Sequence, residues 1–222
     1  FRTFYAHHPE FCIPEPIEEL SSRRVLTTKM LKGLTIEEAR NRSQHEQNTW
    51  GRLLFGSVTR KLLVLRKLQS DPNPANYAFL DSGRIALYDF GSIKELPDWL
   101  HQGYMRTIDV CQAGRFDELT SIAASMQVHL KNGEPVPYKH VELFRSTLSP
   151  MFAVRPYKFR TETDPIKAII NYNRENMDEL KQITFPGDIL FVDRAVAGLI
   201  GNLTALGAEA NWGDELLAAL HP

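Results

Sequence analysis

Three oxygen-bearing side chains stand out because of their types and their spacing along the chain. Asp71 is followed five residues later by Asn76, and Asp89 comes thirteen residues after Asn76. Carboxylate and amide oxygens are ligands that Mg²⁺, a hard cation with octahedral geometry, takes together with phosphate oxygens. Phosphoryl transfer depends on such positioning and charge neutralisation more than on covalent chemistry. These residue types are therefore those of a site for a metal-bound phosphate.

The segment before Asp71 predicts a helix that leads into a rigid loop. A long helix begins at about Gln44, because apolar residues recur from there at three- and four-residue steps. These apolar positions are Trp50, Leu54, Val58, Leu62, Leu65 and Leu68. Pro72 and Pro74 cannot continue a helix, so residues 70–75 are predicted to form a stiff loop.

A β-hairpin is predicted directly after this loop. Tyr77 to Leu80 and Arg84 to Tyr88 have the composition of strands, and Asp81-Ser82-Gly83 between them is a turn signal. Near the start of the chain, Ile17 to Leu20 and Arg24 to Leu31 also predict strands. The hairpin places Asn76 at one end of its first strand and Asp89 at the end of its second.

Helices are predicted for much of the remaining chain. Thr35 and Glu38 form a capping-box pattern that begins a short helix running from Ile36 to about Ser43. After Pro97, helical segments alternate with Gly and Pro. The segments are Trp99–Cys111, Phe116–Met126, His140–Phe152, Pro165–Leu180 and Asp188–Leu206. The last of them carries an apolar stripe that predicts a core helix.

The composition is that of a globular protein. The 222 residues are 43% hydrophobic and 24% charged, and the net charge of −1 gives no overall attraction to nucleic acid. The most apolar stretch, Ile189 to Leu206, is interrupted by charges, so we expect no transmembrane segment. Cys12 and Cys111 have neither a disulfide framework nor metal-ligand spacing, which favours a reduced compartment. The first residues show no targeting signal.

The order of helix, Asp loop, Asn, hairpin and Asp-Phe-Gly resembles the catalytic loop and metal-binding turn of protein kinases. The stretch QSDPNPANYAFLDSGRIALYDFGSIKEL is similar to the core of the UbiB/AarF/ADCK-type atypical kinases, which include the coenzyme Q biosynthesis kinases. CIPEPIEELSSRRVLTTKMLKG resembles the last small-lobe strands and the hinge of that family. FPGDILFVDRAVAGLIGNLTALGAEANW resembles its late helices, so the likeness covers most of the chain.

The resemblance implies a role for each residue that matches the family's motifs. Asp71 corresponds to the catalytic-loop Asp, which orients or deprotonates the acceptor of the phosphoryl group. Asn76 corresponds to a metal ligand, and Asp89 to the metal ligand of the Asp-Phe-Gly turn. The implied cofactors are ATP and Mg²⁺.

The implied fold class is α+β, a protein-kinase-like fold that is mainly the helical C-terminal lobe with remnant small-lobe strands. Residues 1–33 are expected to hold the remnant strands and the hinge, and residues 34–222 the helical large lobe with the catalytic loop. Lys29, Met30 and Leu31 fall where the hinge offers backbone groups to adenine.

The sequence also departs from the family's pattern. The family's ATP-contacting Lys, Ala-rich loop, partner Glu and Lys-x-Gly-Gln element are not found in these 222 residues. Since the sequence begins at Phe1, we expect a piece of a longer protein that has little or no phosphotransfer activity by itself. No Ala-Pro-Glu motif follows Asp89, which favours a small-molecule or lipid-related role over protein phosphorylation.

The leading hypothesis for the parent protein is an atypical kinase or ATPase that binds Mg²⁺ and ATP and supports quinone (coenzyme Q) biosynthesis. The alternative is a non-catalytic, pseudokinase-like scaffold that binds nucleotide or docks a partner. A third hypothesis is an all-helical interaction domain without a nucleotide site. Expected partners are nucleotide and quinone-pathway proteins or lipid at a membrane surface, with no nucleic acid. The expected location is the cytoplasm or the periphery of a bacterial inner or organellar membrane.

Several other patterns have simpler interpretations. Gly51 to Ser57 imitates a phosphate-binding loop but lacks its Lys and falls inside the long helix, so we interpret its small residues as close packing. A basic cluster near the end of that helix is predicted to be a solvated face, with contact to anionic lipid as the alternative. The cluster is Arg60, Lys61, Arg66 and Lys67. Asp193 and Arg194 are predicted to form a structural ion pair.

Overall fold

A computed structural model describes residues 2–152, 155–160, 162 and 164–220. The fold is α+β, and helices make up most of it. The helices are α1 (Arg2–Tyr5), α2 (Ile36–Ala39), α3 (Gln44–Leu63), α4 (Asp98–Gln112), α5 (Leu119–Ser125), α6 (Tyr138–Phe152), α7 (Pro165–Glu175), α8 (Met177–Leu180), α9 (Gly187–Leu206) and α10 (Trp212–Leu220). The strands are β1 (Phe11–Cys12), β2 (Lys67–Gln69), β3 (Tyr77–Phe79), β4 (Ile85–Leu87), β5 (Ile93–Glu95), β6 (His129–Leu130), β7 (Pro156–Lys158), β8 (Ile183–Thr184) and β9 (Glu209–Asn211). The division at residue 33 stays a prediction.

Helix α3 lies in the core and precedes strand β2 and the loop that contains Asp71. It begins with a capping box, in which the Ser43 side chain accepts the backbone N–H of Glu46 and the Glu46 carboxylate accepts that of Ser43. Its buried face packs on α9 and α10. The ring of Phe55 lies 5.2 Å from that of Trp212 in α10, and both side chains are fully buried. This packing fixes the direction from which the chain enters the loop.

The prediction that this helix continues to Leu68 is wrong. The helix ends at Leu63, Arg66 adopts a left-handed φ of 55°, and the chain then forms strand β2. Strand β2 pairs antiparallel with β5, with Gln69 opposite Ile93. Leu68 is the last residue of the predicted apolar stripe. It is only 1% exposed, so strand β2 buries it although the helix has already ended.

The hairpin after the loop is confirmed. Strands β3 and β4 pair antiparallel, with Tyr77 opposite Leu87, and β1 adds to β4 in parallel. Gly83 in the turn has a φ of 76°, which glycine adopts without strain. The hairpin belongs to the core, since every residue of β3 and β4 is buried.

The strands predicted upstream, at Ile17 to Leu20 and Arg24 to Leu31, are wrong in detail. The first is a 3₁₀ turn over Glu18–Leu20, and isolated bridges replace a continuous ladder along the second. Leu26 and Met30 are largely exposed, so this ribbon buries little apolar surface. A two-stranded ribbon without a packed face is marginal in water, which accounts for the irregular pairing.

The capping box of Thr35 and Glu38 is confirmed, but α2 ends at Ala39, earlier than predicted. The helical segments predicted after Pro97 are also confirmed, with two changes of detail. Residues 116–126 divide into a 3₁₀ turn and α5, and residues 165–180 divide into α7 and α8.

Helix α9 forms part of the core, as its apolar stripe predicts. The stripe residues Ile189, Val192, Leu199, Leu203 and Leu206 are buried, and Val196 packs against the same cluster. Within the described part of the chain, α9 is the one helix long and apolar enough to cross a membrane by length and composition. It ends at Gly207, whose φ of 70° provides a left-handed cap.

Candidate functional site

The loop between β2 and β3 is held by its own side chains and by the β5 segment. Asn73 caps the 3₁₀ turn Pro74–Asn76 by accepting the backbone N–H of Ala75 at 3.0 Å. Ser70 donates both its backbone N–H and its hydroxyl to the carbonyl oxygen of Ser92, each at 3.1 Å. These contacts and the two prolines keep Asp71 in one place.

Asp71 lies at the start of this loop, with 35% of its side chain exposed. The Nδ2 of Asn76 donates to Oδ2 of Asp71 at 3.3 Å, and the Nη2 of Arg194 lies 3.7 Å from Oδ1. The backbone N–H of Asn73 donates to Oδ1 at 3.4 Å. All three contacts are long, so the carboxylate is oriented and still accessible to a substrate hydroxyl or a water molecule.

The hairpin brings Asn76 next to the Asp-Phe-Gly turn. The backbone N–H of Tyr88 donates to the carbonyl oxygen of Asn76 at 3.0 Å. Asp89 is therefore one residue beyond the backbone bond that joins the two strands. The Oδ1 of Asp89 accepts the backbone N–H of Gly91 at 2.7 Å, which fixes its carboxylate relative to the turn. The structure thus brings the side chain of Asn76 to that of Asp71, and the backbone of Asn76 to the residue before Asp89.

This donor set fits a hard divalent cation. Because the Nδ2 of Asn76 faces Asp71, its amide oxygen is the end left for a metal, and Asp89 supplies a carboxylate. The described residues contain no group of three or more His, Cys, Asp or Glu side chains that could hold a metal by themselves. Two protein ligands with phosphate oxygens and water are the usual environment of Mg²⁺, so the sparse set suits a nucleotide-bound ion.

The predicted adenine-binding residues lie at the exposed ribbon. Lys29 pairs with Glu15 at 2.6 Å, and Met30 is 80% exposed. The carbonyl oxygen of Leu31 accepts the hydroxyl of Tyr88 at 3.0 Å, which ties this segment to the residue before Asp89. The role of Lys29, Met30 and Leu31 stays a prediction, and the structure adds the contact of Leu31 with Tyr88, next to the Asp-Phe-Gly turn.

Helix α9 forms one wall of the loop. The Nδ2 of Asn202 donates to the carbonyl oxygen of Pro72 at 3.2 Å, and Gly198 lies against the ring of Pro72. The predicted structural ion pair of Asp193 with Arg194 is corrected, because Arg194 reaches Asp71 across more than a hundred residues of sequence. No local sequence signal could have found that contact.

The prediction that the basic cluster forms a solvated face is wrong for Lys61. This side chain is only 2% exposed, and its Nζ donates to Oε1 of Gln69 at 3.4 Å. Burial lowers the pKa of the Lys61 ammonium group to about 8, since desolvation disfavours the charged form. Gln69 in turn donates from Nε2 to the carbonyl oxygen of Asp89 at 2.7 Å, so both residues belong to the surroundings of the site.

The segment from Gly51 to Ser57, whose sequence resembles a phosphate-binding loop, lies inside α3, as predicted. A Cβ at Gly51 would come within 2.4 Å of the Cβ of Ala208, so this glycine permits close approach of two segments. The seven residues form helix and not the strand-to-helix loop that binds phosphate.

The helical lobe, the stiff catalytic loop and the hairpin that ends in Asp-Phe-Gly define a protein-kinase-like domain. Residues 1–121 match the family described as the ABC1 atypical kinase-like domain, and the chain belongs to that family. The identification as a UbiB/ADCK-type atypical kinase relative is thereby confirmed.

Two relatives and one solved structure show the extent of the similarity. Atypical kinase COQ8B, mitochondrial, of Danio rerio is 27% identical over 134 residues, which are 60% of this chain and 21% of that protein. The uncharacterized protein sll0095 of Synechocystis is 24% identical over 226 residues, covering all of this chain and 37% of that protein. The structure of Rv3197 with erythromycin from Mycobacterium tuberculosis superposes with a TM-score of 0.74 at 18% identity, over all of this chain and 56% of that chain. The chain thus spans well under half the length of these two curated relatives, and the structural match shows the fold alone.

Proposed function

We propose that this chain carries the catalytic loop and the metal-binding turn of an atypical kinase or ATPase that uses Mg²⁺ and ATP. The observation that supports the proposal most strongly is the contact of Asn76 with Asp71 at 3.3 Å, together with the backbone bond that sets Asn76 beside Tyr88 and Asp89. In this proposal Asp71 activates a hydroxyl, and Asn76 and Asp89 are the two oxygen ligands that phosphoryl transfer requires.

In this proposal each residue acts through a stated atom. The carboxylate of Asp71 accepts the proton of the attacking hydroxyl or water, and Asn76 and Arg194 hold that carboxylate in position. The amide oxygen of Asn76 and the carboxylate of Asp89 hold the metal. When bound, Mg²⁺ and ATP supply the phosphoryl group and neutralise its charge. Backbone groups of residues 29–31 contact adenine.

The biological role rests on the relatives. Proteins named atypical kinase COQ8B and coq-8 suggest a role for this chain in coenzyme Q biosynthesis, with quinone-pathway proteins or lipid as partners. Those relatives are named as mitochondrial proteins, and for this chain we propose the cytoplasm or the periphery of a membrane. The acceptor in this proposal is a small molecule, a lipid or water.

Thermal unfolding with and without Mg²⁺ and ATP tests the metal site. At a ligand concentration of about 100 times Kd, linkage adds about 2.7 kcal/mol of stability, which raises the melting temperature by about 5 to 10 °C for a chain of this length. Asp89→Asn should lose this shift. Asp178→Asn, the same chemical change at a side chain that is 96% exposed, should keep it. Equal shifts in wild type and Asp89→Asn contradict metal binding at Asp89.

A measurement of ATP turnover distinguishes the hypothesis of an enzyme from that of a non-catalytic scaffold. In the longer protein, Asp71→Asn should keep the Mg²⁺-dependent shift and lose ATP turnover, because the metal ligands remain while the proton acceptor is gone. A wild-type protein that binds nucleotide without any turnover would favour the non-catalytic scaffold. A chain without a Mg²⁺-dependent shift would favour the all-helical interaction domain.

A further inference from the structure

A lysine in the protein core is an unusual choice of residue. Lys61 is among the largest fully buried side chains, at 2% exposure, and its Nζ lies 5.9 Å from the centre of the Tyr5 ring. Burying an ammonium group is unfavourable, and the lowered pKa of Lys61 reflects that cost. Leu62 and Leu63 next to it show that the same helix elsewhere fills the core with apolar side chains. Packing alone therefore does not explain why a lysine occupies this position.

The Nζ of Lys61 connects to the metal-binding turn through one intermediate residue. It donates to Oε1 of Gln69 at 3.4 Å, and Nε2 of the same amide donates to the carbonyl oxygen of Asp89 at 2.7 Å. Gln69 is itself buried, with 9% exposed. The two bonds form a continuous line from helix α3 to the first residue of Asp-Phe-Gly.

Lys61 and the carbonyl oxygen of Asp89 both favour the same orientation of the Gln69 amide. A glutamine amide has an acceptor end and a donor end of almost the same shape, and a lysine ammonium group can only donate. Oε1 must therefore face Lys61, and Nε2 must face the carbonyl oxygen of Asp89. An amide turned the other way would put two acceptor oxygens against each other at Asp89.

The Asp-Phe-Gly turn is held on both sides by the same strand. The side chain of Gln69 holds Asp89, and its backbone pairs with Ile93 in β5. Ser70 holds the carbonyl oxygen of Ser92. Residues 89–92 are thus held at their start by the side chain of Gln69, whose orientation Lys61 supports.

We propose that Lys61 is a positioning residue, which acts through the amide of Gln69 to fix the backbone of Asp89 and so orients the Asp89 carboxylate toward a divalent cation. The inference rests on the proposed function for its metal and on the hydrogen bonds of the turn for its geometry. Lys61 itself touches neither metal nor substrate in this role.

The test uses Lys61→Met, which keeps the length and the apolar stem of the side chain and removes the donor. Mn²⁺ binding in the presence of ATP, followed by electron paramagnetic resonance, should weaken by about 3- to 10-fold, as expected for one lost hydrogen bond. The melting temperature should stay the same or rise, because a buried charge is removed. A purely structural role predicts the opposite pattern, a lower melting temperature with unchanged affinity. Lys67→Met, at an exposed lysine of the adjoining strand, is the matched control and should change neither.

A double-mutant cycle tests the route through the amide. In a Gln69→Leu background, Lys61→Met should have no further effect on Mn²⁺ affinity, since the link is already broken. Additive effects of the two substitutions overturn the proposed route. If Lys61→Met does not fold, Gln69→Glu replaces it, because a glutamate keeps the acceptor for Lys61 and loses the donor to Asp89. That variant should show the same loss of affinity.

Amide hydrogen exchange at Gly91 gives a readout that does not depend on any metal. The N–H of Gly91 is bound to the Asp89 carboxylate at 2.7 Å, so Lys61→Met should accelerate its exchange and Lys67→Met should not. Unchanged exchange at Gly91 overturns the inference whatever the metal result. Faster exchange combined with equal Mn²⁺ binding by wild type and Asp89→Asn supports the positioning link and contradicts the proposed metal site instead.

Discussion

Gly198 of α9 lies against Pro72 of the catalytic loop so closely that a side chain has no room there. A Cβ at position 198 would be 1.8 Å from the Cβ of Pro72 and 2.5 Å from its Cγ. Pro72 directly follows Asp71, so the backbone of helix α9 restrains the loop next to the Asp71 carboxylate. The rigid loop thus depends on a contact between residues 126 positions apart as much as on its own prolines.

Gly198→Ala is expected to displace the loop. The overlap with Pro72 should lower the free energy of unfolding by about 1–3 kcal/mol and reduce the Mg²⁺- and ATP-dependent thermal shift. Gly201→Ala on the same helix is the control, because nothing lies within 4 Å of a Cβ at that position. That change should leave the shift intact and stabilise the helix by about 0.5–1 kcal/mol. Urea unfolding of both variants measures the difference, and equal stabilities contradict the close contact.

Asn202 and Arg194 are expected to contribute very differently to stability. Asn202 is 7% exposed and donates to the carbonyl oxygen of Pro72, so Asn202→Ala leaves that acceptor without its partner and should cost about 1–3 kcal/mol. Arg194 is 63% exposed, and its ion pair with Asp71 should contribute at most about 1 kcal/mol, less at high salt. Chemical denaturation at low and high ionic strength compares the two alanine variants. A larger loss for Arg194→Ala would be inconsistent with the observed burial.

The buried ammonium group of Lys61 predicts a pH dependence of stability. Its pKa is about 8 in the folded state and about 10.4 in an unfolded chain, because burial disfavours the charged form. Below pH 8 the folded protein carries the full cost of the buried charge, and that cost is relieved as pH rises from 8 toward 10.4. Relative to Lys61→Met, the wild type should therefore gain stability over this window, by up to about 3 kcal/mol.

Tyr5, whose ring faces Nζ, does not obscure this measurement. Burial raises the pKa of its phenol far above the ordinary value, so it stays neutral over the same window. Denaturation curves of wild type and Lys61→Met between pH 7 and about 10 give the comparison. A difference that is constant over this range contradicts a depressed pKa for Lys61.

Features encoded by neighbouring residues could be predicted from the sequence. The capping box of Thr35 and Glu38, the hairpin turn at Gly83 and the contact of Asn76 with Asp71 are all local patterns, and the structure contains each of them. A hairpin and a short loop leave the chain few ways to separate Asn76 from Asp89. The proximity of these residues therefore followed from chain connectivity.

Features that depend on distant partners could not be predicted. Helix α3 ends at Leu63 because β2 pairs with β5, more than twenty residues further on, and the apolar spacing before Asp71 is compatible with helix and with strand. Lys61 was predicted to be solvated because a single sequence does not show that its side chain contacts Gln69 and the ring of Tyr5. The contact of Arg194 with Asp71 could not be predicted for the same reason, because it depends on how α9 packs against the loop.

Paramagnetic broadening by Mn²⁺ in the presence of ATP locates the metal on the chain. In amide spectra of the wild-type chain, the signals of Asp71, Asn76, Asp89 and Gly91 should broaden first. Residues of the open groove near Arg40 and Lys158, which is also lined by charged side chains, should be unaffected. Asp89→Asn should abolish the effect. Broadening that is strongest at the Arg40 groove, or that persists unchanged in Asp89→Asn, would contradict a metal site between the catalytic loop and the Asp-Phe-Gly turn.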